Sequence, residues 1–82
     1  MATFSVRVVE FLDGDEVPVR YKTVMLSLTS ILRGWLESDT DGDGVAEFDA
    51  DEGEAGVYFG GSKIDTFYFS DGDQYTINVT DV

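Results

Sequence analysis

The sequence predicts an all-β domain, a small sandwich or barrel, and three observations carry that prediction. Apolar residues recur with a period of two along much of the chain. Clusters of Asp and Gly interrupt that pattern roughly every ten residues. The one segment that also scores as a short amphipathic helix, Val24 to Leu36, has no helix cap, is rich in β-branched residues, Thr and Ser, and carries Gly34.

The elements run in order along the chain. Val6 and Val8 alternate with Ser5, Arg7 and Val9 between Thr3 and Phe11, which reads as a first strand. Asp13-Gly14-Asp15-Glu16 breaks it, and Pro18 suits a strand start or an edge but not a central ladder. Val24, Leu26 and Leu28 alternate with Thr23, Met25, Ser27 and Thr29 in a second strand, and Leu32 to Glu37 forms a third around Trp35. After the turn at Asp39 to Gly44, Val45 to Phe48 is a short strand closed by the acidic turn Asp49 to Gly53. Ala55, Val57 and Phe59 then alternate with Gly56 and Tyr58, and Gly60-Gly61-Ser62 makes a tight connection. Lys63 to Ser70 is an aromatic strand, with Phe67 and Phe69 expected on one face and Ile64 and Tyr68 on the other. Asp71-Gly72-Asp73 reads as a hairpin turn into a last strand whose Tyr75, Ile77 and Val79 face inward. The sum is about seven short strands at sandwich-like spacing.

The 82 residues fit a single domain spanning positions 1–82. Such a chain buries only about 60% of its unfolded surface, so its core has little to spare. A composition 43% hydrophobic and 13% aromatic nevertheless sets it apart from disordered chains. The net charge of -12, from 17 acidic against 5 basic residues, argues against nucleic acid and anionic membranes, which call for clustered cations. Without cysteine there is no disulfide and no thiol chemistry. Neither a signal peptide nor an apolar run of about 18 residues is evident, so the expectation is a soluble protein of the cytoplasm or of a virion.

Thr40-Asp41-Gly42-Asp43-Gly44-Val45-Ala46-Glu47-Phe48 resembles the "T-D-x-D-G-x-x-x-F" hairpin of carboxypeptidase regulatory-like domains. Gly14 to Val19 followed by Val24-Met25-Leu26 is similar to that family's opening turn and strand, and Gly53-Glu54 with Val57-Tyr58 to its "P-G-x-Y-x-V" segment. The resemblance implies a seven-stranded, two-sheet Greek-key β-sandwich of the immunoglobulin-like or prealbumin-like kind. It also implies an accessory, adhesive or structural role without catalytic residues.

Asp39-Thr40-Asp41-Gly42-Asp43-Gly44 matches the first half of a calcium loop, with oxygens at alternate positions and a glycine for the sharp turn. Ala50 stands at the twelfth position, where a bidentate Glu belongs, while Glu47 at the ninth is a further ligand candidate. Asp39, Asp41, Asp43 and Glu47 are therefore the candidate metal ligands, for weak Ca²⁺ binding. The competing reading is a turn whose Asp side chains bond their own backbone.

Catalysis has less to work with. The absence of His and Cys removes the base of a nucleophilic triad and the commonest zinc ligands. Paired carboxylates remain, but they lie in turns, and a domain this small offers little cleft. Trp35, Tyr58 and Tyr68 are candidates for an interaction surface, because aromatics that leave the core are enriched at interfaces. The alternative is that they complete a core short of apolar mass. Asn78-Val79-Thr80 matches a glycosylation sequon, discounted in the absence of a secretion signal. The expected function is a non-catalytic structural or protein-interaction module, associating with itself or a protein partner in an assembly such as a virion or surface structure. A calcium-responsive domain and a carbohydrate-binding module are the alternatives, the latter requiring exposed, coplanar rings.

Overall fold

The computed structural model describes residues 1–28 and 34–80. Two four-stranded sheets pack face to face around one core. The strands are β1 (Ala2–Leu12), β2 (Asp15–Pro18), β3 (Thr23–Leu28), β4 (Trp35–Asp39), β5 (Val45–Ala50), β6 (Gly53–Phe59), β7 (Ser62–Phe69) and β8 (Gln74–Asn78). The described residues contain no helix long and apolar enough to cross a membrane.

In the first sheet β1 pairs antiparallel with β2 and β5 and parallel with β8. The Val8 N–H donates to the Gly44 carbonyl at 2.7 Å, and the Val8 carbonyl accepts from Val19 N–H at 2.9 Å. The end of β5 and the end of β2 thus meet along one edge of β1, while β8 lies along the other. The second sheet runs β4-β3-β6-β7 with every pair antiparallel.

Alternation explains the core. Phe4, Val6 and Val8 of β1 point at Val24, Leu26 and Leu28 of β3, and Ala46, Phe48, Ala55, Val57, Phe69 and Ile77 close around them. Phe4 stacks on Phe69 with ring centroids 4.6 Å apart, and the Phe69 ring meets Tyr75 edge-on. Each buried ring of this size contributes a few kcal/mol, a large share of what an 82-residue domain has.

Four expectations change. Eight strands replace seven, because Asp15–Pro18 pairs with Val9–Leu12 across the two-residue Asp13-Gly14 turn. Both turn residues are left-handed, with φ of 52° and 84°, as such a hairpin requires. Pro18 is tolerated because β2 has no strand on its far side. The aspartate turns at 39–44 and 71–73 are not hairpins; each carries the chain from the second sheet to the first.

The third strand starts at Trp35, and the described part of Val24 to Leu36 is extended and not helical. Leu32 and the rest of 29–33 lie outside the described residues. The aromatic strand β7 is an edge strand of the second sheet. A register shift between Val57 and Tyr58 leaves Ile64 as the extra residue of β7. That bulge turns Ile64 in against the core, away from Tyr68.

Candidate interaction face

The acidic turn is built from its own hydrogen bonds. Thr40, only 2% exposed, anchors it: its N–H donates to the Lys22 carbonyl, and its carbonyl accepts from Tyr21 N–H. Its hydroxyl oxygen accepts from Lys22 N–H at 3.0 Å. Asp41 Oδ1 then accepts from the amides of Asp43 at 2.8 Å and Val45 at 3.0 Å. These backbone donors, Val45 first and Asp43 second, hold the Asp41 carboxyl below the usual aspartate range, because they bond to its charged form.

The four candidate metal ligands are not brought together. Asp39 points outward from the second sheet, where its Oδ1 accepts from the Thr23 hydroxyl at 2.7 Å. Glu47 points outward from the first sheet, opposite Ser5 of β1. A full sandwich thickness, on the order of 10 Å between sheets, therefore separates the ends of the proposed ligand set. Among the described residues no three His, Cys, Asp or Glu side chains gather to hold a metal ion. Self-bonding within the turn is the reading that the geometry favours.

The aromatic candidates do share a surface. Register places two cross-strand rows on the outer face of the second sheet. One row is Trp35, Ser27, Gly56 and Thr66, across β4, β3, β6 and β7. The next is Glu37, Met25, Tyr58 and Lys63 in the same strand order. Beyond Gly56 and Thr66, Glu54 pairs with Tyr68.

Trp35 is 53% exposed and touches the half-buried Tyr58, with ring centroids 5.0 Å apart and planes inclined at 61°. Tyr68 is 61% exposed. The Trp35 and Tyr58 rings are exposed to different degrees and far from coplanar, so they do not form the flat platform a sugar ring would stack on.

Gly56 shapes the middle of this face. A Cβ there would lie 3.2 Å from Lys63 Cε and 3.3 Å from the Tyr58 ring. The bare backbone thus lets the lysine stem and the tyrosine settle over it, covering its surface with methylenes and a ring edge. Toward the Gly60-Gly61 hairpin the face opens into a groove of about 470 Å³ bordered by Lys22, Met25 and Tyr58.

Sequence reasoning found the three aromatics and missed Met25, Gly56, Glu37 and Lys63. Period-two alternation already puts Met25 outward, but only the strand order reveals which residues stand beside it. No family model matches the chain, and no curated protein matches it significantly.

Proposed function

We propose that this chain is a non-catalytic assembly module that associates through the outer face of the β4-β3-β6-β7 sheet, with copies of itself within a larger structure such as a virion. The observation that supports this reading is Trp35, a large ring left half in water on a sheet face and braced against Tyr58. In a domain with so little apolar mass, a tryptophan outside the core is better accounted for by an interface than by folding. The first sheet's outer face is more polar along β8 and the start of β1, where it presents Thr3, Ser5, Gln74, Thr76 and Asn78, and its exposed ring, Phe11, lies apart beside the β2 hairpin. Kinship with carboxypeptidase regulatory-like domains belongs to the same proposal, as does the prealbumin-like Greek-key order. The two-sheet packing is the observation that supports both.

Light scattering over a range from micromolar to millimolar tests the reading. A mass that rises with concentration in the wild type, and stays monomeric in Trp35→Ala, is the expected outcome. A strict monomer at every concentration would overturn it.

A further inference from the structure

We infer that the second copy docks by a two-fold axis lying in the interface and parallel to the strands, with Glu37 of each copy facing Lys63 of the other. This rests on the self-assembly reading above and specifies its geometry. The row Glu37, Met25, Tyr58, Lys63 runs across the sheet in that order. A two-fold parallel to the strands lays the reversed row over it. Glu37 then meets Lys63 at both ends of the row, and Met25 meets Tyr58 twice in its middle.

Sulfur then faces a ring, and opposite charges face one another. A two-fold running across the strands would instead place Glu37 over Glu37 and Lys63 over Lys63, which costs energy. Only the first arrangement is self-complementary, as a closed dimer demands.

Within one copy the two charges cannot satisfy each other. They sit three strand spacings apart, about 14 Å. Among the described residues the ion pair is that of Arg7 with Glu16, and neither Glu37 nor Lys63 takes part in one. Among those residues Lys63 is therefore a cation with no ion-pair partner, on a chain of net charge -12, and the carboxylate that meets it comes from the second copy.

Size sets the strength. A face four strands wide and about 20 Å long covers roughly 300–400 Å² per copy in plan. The pair falls below about 1,200 Å² in total, in the range of weak, concentration-dependent complexes. The net charges of the two copies repel, but at 0.15 M salt the screening length of about 8 Å damps distant carboxylates more than the facing pairs.

The test is a charge exchange, with sedimentation equilibrium at 0.15 M salt as the readout. Each variant's fold is checked by its melting curve. Lys63→Glu and Glu37→Lys each turn two facing pairs into two repulsions and should each weaken dimerisation by about tenfold or more. The double variant, which restores opposite charges in swapped positions, should recover most of the wild-type association. If the single variants dissociate and the double does not recover, the two residues do not meet and the geometry is wrong. A wild-type dimer indifferent to either reversal also overturns the geometry while leaving self-assembly standing. A wild type that never dimerises overturns both.

Discussion

Asp41-Gly42-Asp43 and Asp71-Gly72-Asp73 are the same tripeptide, and both carry the chain from the second sheet to the first, yet they are built differently. At the first, Asp41 turns its carboxylate back on the amides of Asp43 and Val45. At the second, Asp71 Oδ1 reaches across to accept from Thr3 N–H at 2.8 Å, while Asp73 Oδ2 closes the turn by accepting from Ser70 N–H. Gly72 N–H donates to the Thr3 carbonyl, so the second turn ties down the start of β1. The left-handed residue also moves. It is Gly44 in the first turn, with φ of 79°, and Gly72 in the second, with φ of 85°. The residue after the tripeptide decides this, since Gly44 is free to bend in one turn and Gln74 is not in the other. One short motif thus serves as a self-contained loop in one place and as a clasp in the other.

The glycines should separate the two turns most sharply. A Cβ on Gly44 would sit 2.8 Å from the Val8 carbonyl oxygen and 3.0 Å from Pro18 Cβ, at the junction where β5, β2 and β1 meet. One on Gly72 would meet nothing within 4 Å. Both substitutions to alanine carry about 1–2 kcal/mol for the left-handed backbone. Gly44→Ala adds about 1–3 kcal/mol for the backbone shift that the contact forces. Thermal melts should place Gly44→Ala roughly 10 °C or more below the wild type and Gly72→Ala closer to it. Equal losses would mean that the Gly44 junction can open at no cost.

Breaking the clasp comes next in size. Asp71→Ala removes the acceptor of Thr3 N–H and should cost about 0.5–1.5 kcal/mol. Amide exchange at Thr3 should quicken, while exchange at Asp43 and Val45 stays as it was. Unchanged exchange at Thr3 would show that the β1–β5 ladder alone holds the strand's start.

The same pair of turns marks what the sequence made legible. Strand positions were readable from Val6 and Val8, or Leu26 and Leu28, because a buried face imposes alternation on any strand. β2 was hidden: Asp15 and Glu16 are exposed, and Pro18 argues against a strand until its open edge is known. The crossovers read as hairpins in sequence because Asp-Gly chemistry serves any sharp reversal, and which sheet the next strand joins depends on distant residues. The exposed aromatics were readable as candidates. Their neighbours Met25, Gly56 and Lys63 were not, since strand order brings β3, β6 and β7 side by side from separate parts of the chain. The calcium half-motif is legible as spacing alone, for a related reason. Asp39 and Glu47 are eight positions apart in sequence but face away from each other on opposite sheets.

The smallest effect belongs to the Asp41 carboxylate, and it has a sign that pH can read. Its folded value is depressed, so its charge stabilises the native state above the ordinary aspartate value of about 3.9. That contribution disappears as pH falls through the folded value. Asp41→Asn keeps an oxygen able to accept from the Asp43 and Val45 amides but loses the charge they favour. The variant should be slightly less stable than the wild type near pH 7, and the gap should close as the medium is acidified below about pH 4. Urea midpoints across that range measure the gap, and a constant difference would mean that the turn is indifferent to the charge. Calcium should separate the curves no further. With Asp41 committed to its own backbone and Glu47 on the opposite sheet, millimolar calcium should leave the wild-type melting temperature where it stands. A rise would show that a bound cation can compete with the amides that now occupy the carboxylate.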